Sequence, residues 1–303
     1  MSNSTLLTFE ISSDWKGRTI ESFLRNQVKF SRRILRSIKK ENGIRINGEI
    51  VPAWYQLWGG EHLELHLPPV VQNINPESIP LAVIYEDHDL VLIDKPPGML
   101  VHPVKKYQSG TLANALVHRW LAAGETCSFH PVHRLDRLTS GLVLIAKNSW
   151  THQQLSIQLG SGEISRLYLA FCNGRVKNCS GKINAPIEEQ PDSALRVIGA
   201  GGKQALTRYR VIQRTDSSTL LAVKIFTGRT HQIRVHLSHL GYPLMGDPLY
   251  GTQGEDLART GLHAVCLSFT HPRFKKRMRI KTALPADLKK LALRFGLLIH
   301  TAF

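Results

Sequence analysis

Acidic residues are scarce in this sequence. Its 303 residues include 23 Asp and Glu against 39 Lys and Arg, a formal charge of +16. An excess of that size points to a polyanionic partner, most often nucleic acid. Cysteine is scarce as well. Cys127, Cys172, Cys179 and Cys266 contain no Cys-x-x-Cys pair, which argues against a structural zinc site, a redox motif and a disulfide framework. No apolar run approaches a membrane span, and Asp14 lies where a secretory signal would need an unbroken apolar segment. Gly-rich nucleotide fingerprints, internal repeats and low-complexity tracts are missing too. The expected reading is a soluble cytoplasmic chain, long enough for one large domain or for a large and a small one.

The cations are unevenly placed. Between Arg18 and Lys40 lie Arg18, Arg25, Lys29, Arg32, Arg33, Arg36, Lys39 and Lys40, with Glu21 as the single acid. Ser31 suits an N-cap, and the spacing predicts a helix from Arg32 to about Glu41, stopped by Asn42-Gly43. Ile34, Leu35 and Ile38 then share one face, and Arg32, Arg33, Arg36, Lys39 and Lys40 share the other. Like charges on one helix face repel, so a phosphate-facing role is favoured over a merely solvated surface. Asn47-Gly48 between two short apolar segments predicts a hairpin, and Leu63 to Leu67 alternates as a half-buried strand.

Pro68, Pro69, Pro76 and Pro80 mark residues 71–80 as a linker between a small domain at 1–70 and a larger one at 81–303. In the larger domain strands are expected at 83–85, 90–93, 166–171, 205–212, 220–226 and 263–269 and in the apolar run that follows Asp136, with helices near 111–121, 150–159 and 285–296. Regular βαβ alternation is absent. The fold class is therefore α+β, a mixed and mainly antiparallel sheet with flanking helices, plus the small N-terminal α/β unit. Arg273, Lys275, Lys276, Arg277, Arg279 and Lys281 form a second basic cluster.

Three parts of the larger domain are unusually polar. His130 to Lys147 places Asp136 between Arg134 and Arg137, just before an apolar run. Tyr168 offers an aromatic face with a polar tip in the strand that carries Arg166. Thr227 to His236 crowds Arg229, His231, Gln232, Arg234 and His236 after a glycine, followed by Gly246-Asp247-Pro248-Leu249-Tyr250-Gly251. An Asp before Thr-Ser-Gly also suits an ordinary structural turn.

Residues 18–67 resemble the small RNA-binding domain shared with ribosomal small-subunit protein four, through Ser31-Arg32, Ile46-Asn47-Gly48 and Gly60-Glu61. Residues 81–303 resemble the RluA-type pseudouridine synthases. The resemblance rests on Lys95-Pro96-Pro97-Gly98 with His102-Pro103, on His133-Arg134-Leu135-Asp136 running into Thr139-Ser140-Gly141-Leu142, and on Gly228-Arg229-Thr230-His231-Gln232-Ile233-Arg234-Val235-His236. It implies that Asp136 is the catalytic carboxylate, that Tyr168 packs against the target base, and that Arg229 is the basic partner of Asp136. It also implies that Arg134 helps fill the space left by the flipped base. The family commonly carries Lys where this chain has Arg166, which replaces a point donor by a planar fork. RNA contacts are expected from Arg32, Arg33, Arg36, Lys39, Lys40, Arg134, His231, Gln232 and Arg234.

The chemistry agrees with that resemblance. Isomerising uridine breaks the bond from ribose to a base nitrogen, turns the uracil, and joins the sugar to a base carbon. One carboxylate can act as a nucleophile or as a base toward the sugar, and both routes remain open. The target leaves its stack, which suits an aromatic face. Transfer to water would call for a second carboxylate, and no motif supplies one. No cofactor and no metal are expected, and the partner is RNA, ribosomal or transfer, with the chain as a monomer. Two other classes compete. A catalytically silent ribosome-assembly factor would carry the same basic faces without needing Asp136, Tyr168 and Arg229 together. A zinc hydrolase would use His130, His133, His231, His236 and His239, whose spacings match no zinc motif.

Overall fold

Residues 5–68, 73–191, 193–251 and 257–297 are described by the computed structural model. The polypeptide opens with β1 (Thr5–Glu10), α1 (Ile20–Asn26), α2 (Arg32–Lys40), β2 (Ile44–Ile46), β3 (Glu49–Ile50) and β4 (His62–Leu67). These strands form an antiparallel sheet in the order β1-β4-β2-β3. Ser31 caps α2 by accepting the Ile34 N–H, and Ile34, Leu35 and Ile38 are buried under the helix. The expected cations Arg32, Arg33, Arg36, Lys39 and Lys40 are all exposed. Asn42 takes a left-handed conformation after the helix. The glycine that follows has a packing reason, because a Cβ on Gly43 would meet the His66 carbonyl oxygen at 2.4 Å. Asn47 and Gly48 both have positive φ, as a two-residue hairpin turn requires.

The rest of the chain supplies β5 (Ala82–Glu86), β6 (Leu90–Lys95), α3 (Leu112–Ala122), β7 (His130–Pro131), β8 (Ser140–Ala146) and α4 (Ser149–Gly160). There follow β9 (Ser165–Asn173), β10 (Ser180–Asn184), β11 (Ile187–Glu189), β12 (Arg196–Ile198), β13 (Leu206–Arg214) and β14 (Ser218–Ile225). The last elements are α5 (Gln232–His239), β15 (Leu262–Thr270), β16 (Arg277–Lys281) and α6 (Ala286–Arg294). The main sheet runs β10-β13-β14-β9-β15-β8-β6-β5, with β16 added to β15 and β7 to β8. Its pairs are antiparallel except β8 with β15. The mixed, mainly antiparallel α+β architecture matches the expectation.

All seven residues of β8 are buried, because helices cover both faces of the sheet. On one face Leu112, Leu116 and Trp120 of α3 join Ile233 and Leu237 of α5, above Tyr168, Val223 and Ile225. On the other, Leu288 and Leu291 of α6 pack on Leu169, Phe171 and Leu220, and Leu155 of α4 packs on Leu142 and Leu144. No helix among the described residues is long and apolar enough to cross a membrane.

The two sheets are joined through α4. Trp150 belongs to the apolar core of the small unit, among residues such as Ile20, Leu24 and Ile34. Gln153 accepts the Ser31 N–H and donates to the Lys29 carbonyl, while Gln154 donates to the Val28 carbonyl at 3.0 Å. A second tie comes from Arg273, which pairs with buried Asp89 at 2.5 Å and donates to the Leu6 carbonyl at 3.1 Å. Residues 71 and 72 of the expected linker lie outside the described residues. From Asn73 onward it lies on the larger unit, where Ile74 packs against the core and the Asn75 carbonyl accepts from Asn114.

Candidate active site

Residues 133–139 form an irregular stretch that leads into β8. His133 and Leu135 are buried, and Arg134 and Arg137 are exposed. The imidazole of His133 accepts the Leu144 N–H through Nε2. Burial drives its pKa down to about 3, so this ring is a neutral internal brace. Gly141 has φ +112°, and a Cβ there would meet the Ala264 carbonyl oxygen at 2.4 Å. Only glycine lets β8 run this close to β15.

Fully buried Lys95 holds the stretch from behind. Its ammonium donates to the carbonyls of Pro96 at 2.8 Å, Met99 at 2.9 Å and Arg137 at 3.3 Å. Gly98 N–H also donates to the Arg137 carbonyl, and Arg137 Nε returns a bond to the Gly98 carbonyl. The Lys-Pro-Pro-Gly turn is thus stitched to the residue after Asp136. Burial lowers the Lys95 pKa to about 7, against the opposing pull of Asp136.

The guanidinium that meets Asp136 is that of Arg234, not that of Arg229. Arg234 Nη1 lies 3.3 Å from Asp136 Oδ2. Its other edge is clamped by Asp247, with Nε to Oδ2 at 2.7 Å and Nη2 to Oδ1 at 2.8 Å. Asp247 is fully buried and also accepts the N–H groups of Leu249 and Tyr250. Those bonds hold its carboxyl below the usual range although burial acts the other way. Arg234 likewise moves upward against burial. Its guanidinium carbon also sits 5.1 Å from the Tyr250 ring centroid.

The correction has a simple geometric cause. Gln232 begins α5, so Arg234 lies in the first helical turn and faces inward, whereas Arg229 lies in the loop before it. Arg229 is exposed and gives its Nε to the Gln204 carbonyl at 3.0 Å. Two expected RNA contacts are also internal. Gln232 ties Thr207, Leu206 and Arg229 together, and Arg234 is taken up by the two carboxylates. His231, at positive φ, bonds Tyr250 and lines the cavity.

Above Asp136 opens a cavity of about 620 Å³, lined by Tyr168, Arg166, Arg134, Phe226, Ile233 and Leu262 among others. That volume suits a single nucleoside. Among the described residues Asp136 is the only carboxylate lining it. Tyr168 reaches the cavity from β9 on the face that carries Val223 and Ile225. Burial raises its phenol pKa, which keeps it a neutral aromatic surface. Arg166, two residues earlier on the same face, is buried and donates to the Thr227 carbonyl at 3.2 Å. The candidate zinc histidines do not gather. His236 commits both ring nitrogens, to Thr207 Oγ1 and the Ala185 carbonyl. The one acid and histidine group close enough to hold a metal is Asp87, Asp89 and His271 among the described residues. There, Asp89 is clamped by Arg273, and Asp87 is held low, against burial, by His271, Tyr85 and two backbone amides.

Residues 89–239 match the family model described as RNA pseudouridylate synthase, and residues 7–62 match the RluD ribosomal pseudouridine synthase N-terminal domain. The chain belongs to the RluA-type RNA pseudouridine synthases. An uncharacterized RNA pseudouridine synthase, YjbO, of Bacillus subtilis is 38% identical over 88% of this chain and 95% of its own length. Ribosomal large subunit pseudouridine synthase D of Xylella fastidiosa is 37% identical over 86% of this chain and 84% of that protein. Among solved structures, human RNA pseudouridylate synthase domain containing 4 superposes with a TM-score of 0.60 at 24% identity, over 71% of this synthase and 93% of that chain. The family's central motif therefore occupies the cavity floor, and its enzymes are isomerases that act on RNA. The sequence had marked Gly246 to Gly251 as polar, but nothing in it distinguished Asp247 as the clamp on Arg234.

Proposed function

We propose that this synthase isomerises uridines of large-subunit ribosomal RNA, with Asp136 as the catalytic carboxylate. The observation that carries the catalytic assignment is the single acid in a nucleoside-sized cavity, faced by a guanidinium that is itself fixed by Asp247. The flipped uridine enters with its base against Tyr168, and its sugar comes down on Asp136. The carboxylate either adds to the sugar or takes a sugar proton, and the bond to N1 breaks. The uracil turns, and C5 joins the sugar as the ester bond to the carboxylate breaks or as the abstracted sugar proton returns; the C5 proton then leaves and N1 takes up a proton. Atoms and electrons balance within the nucleotide, so side chains suffice without a cofactor. Arg234 holds the carboxylate in place, while Arg134 and Arg229 stand at the rim as RNA contacts.

Residues 7–62 support the ribosomal target, since they match the N-terminal domain of a ribosomal synthase and present α2 as a cationic face. The relatives named as large-subunit synthases support it too. That target places the protein in the cytoplasm, and we take a monomer as its working form. Pseudouridine mapping of total RNA from cells with and without the gene tests the target. Sites lost from large-subunit RNA are expected, whereas loss confined to transfer RNA would overturn it. The assignment of Asp136 is tested by Asp136→Asn, which should lower turnover by at least roughly 10³-fold with RNA affinity retained. Wild-type turnover in that variant would refute it.

A further inference from the structure

The face of the main sheet turned away from the cavity carries a row of cations that the reaction does not use. Register places Lys182 of β10 opposite Arg208 of β13, and Arg208 opposite Lys224 of β14. Directly opposed side chains point to the same face, and Leu167 of β9, opposite Lys224, fixes which face this is. Leu167 packs toward the α6 side, while its neighbour Tyr168 points into the cavity. Arg279 of β16 joins Arg208, Arg210 and Lys224 around a shallow hollow of about 330 Å³ in which no acid takes part among the described residues. Helix α6 covers the sheet at Leu169, Phe171 and Leu220 and leaves this part open.

Three cations abreast on neighbouring strands repel one another, and a sheet gains nothing in stability from the arrangement. Solvation alone would be served equally by alternating signs. The row is also connected to the active site. Phe226 lies 5.0 Å from the Arg208 guanidinium and 5.2 Å from the Lys224 ammonium, measured to its ring centroid, and the same residue lines the catalytic cavity. Cations flanking an aromatic, with a path to the cavity mouth, match a sugar–phosphate chain that continues past the modified nucleotide.

We infer that this cationic sheet face is a second RNA-binding surface, which engages phosphates of the RNA beyond the segment held in the cavity. The inference rests on the substrate being a large RNA, and its test reads binding rather than turnover, so that failure of the ribosomal assignment shows up separately in the pseudouridine map. Binding is measured against salt for full-length large-subunit ribosomal RNA and for a stem-loop of about 20 nucleotides that fills only the cavity. In the Arg208→Gln/Arg210→Gln/Lys224→Gln variant the log–log salt slope for the long RNA should fall by about two units, at roughly 0.7 to 0.9 per lost phosphate contact, with an unchanged slope for the stem-loop. Because Phe226 touches the cavity, Arg279→Gln/Lys281→Gln provides a second variant remote from it. This pair should lower the long-RNA slope by about one and a half units and leave stem-loop turnover unaltered. An unchanged long-RNA slope in both variants, as a protein-docking surface would give, overturns the proposal. So does an equal fall for the long RNA and the stem-loop.

Discussion

Arg229 and Arg234 stand five residues apart in one motif and have opposite circumstances. Arg229 is exposed in a loop, with its Nε on a backbone carbonyl. Arg234 is buried in the first turn of α5, with carboxylates on both edges. The contrast extends over the whole molecule. Groups at the cavity floor, Lys95, Arg234 and Asp247, are desolvated and held by several bonds each, and His133 is desolvated and braces the Leu144 N–H. The cations of α2, Arg134 and the outer sheet face are solvated and have few partners. An internal charge keeps its place only if paired, so the floor is rigid and intolerant of change. An exposed charge contributes through its number, so the rim is tolerant and sensitive to salt.

The strongest way to break this comparison is to treat the two arginines alike. Arg234→Gln should lower turnover by at least about 100-fold and the melting temperature by roughly 5–10 °C, since it leaves Asp247 buried without its partner at a cost of about 3–5 kcal/mol. Arg229→Gln should change kcat by less than about threefold and act mainly on KM. Equal losses in the two variants would place both in the same role.

Acid offers a milder probe that separates floor from rim. Burial takes His133 down to about 3, and burial with Arg259 takes His263 down to about 4. Each protonates near its ordinary pKa of about 6.5 in the unfolded chain but stays neutral in the folded one. Lowering the pH below 6.5 therefore favours unfolding, and this stability is fully present only above that value. The melting temperature should drop by roughly 3–5 °C between pH 6.5 and 5.5, at about 1 kcal/mol for each ring. His263→Gln should flatten the dependence by about half. A melting curve indifferent to pH in this window would mean that the rings are charged in place.

The smallest effect belongs to the rim. Arg33→Gln/Arg36→Gln on α2 should reduce the salt slope of RNA binding by about one to two units and leave kcat unaltered. Lys39 makes a weaker target, because Glu21 of α1 approaches it at 3.3 Å and neutralises part of its charge. A loss of kcat in the α2 variant would show that the helix acts on the chemistry as well as on capture.

The same division explains what could be read from sequence. Helix α2 was legible because its apolar and cationic faces separate cleanly at helical spacing. β8 was legible because an unbroken apolar run can only be interior. Strand β1 was not foreseen, since Leu6 and Leu7 are adjacent and point to opposite faces, one exposed and one buried. Strands β10 to β12 escaped as well, because Ile183 and Ile187 are the buried apolar residues in a mostly polar segment. At the site, the linear motif crowded donors after Gly228, and the resemblance paired one of them, Arg229, with Asp136. Which arginine meets Asp136 depends on where α5 begins, and Gln232 gives no cap signal, with His231 at the N-cap making no side-chain capping bond. Lys95 looked like part of a turn, and only its three carbonyl partners reveal it as the fastening for the residue after Asp136.

Helix α4 carries a consequence for how a target is chosen. Its Trp150 is embedded in the core that supports α2, and its Leu155 is embedded beneath β8, the strand entered directly from the Asp136 stretch. A single rigid rod thus sets the spacing between the cationic face of α2 and the Asp136 carboxylate. An RNA held on α2 would therefore present to Asp136 only a nucleotide at one span and angle, as the jaws of a caliper fix a width.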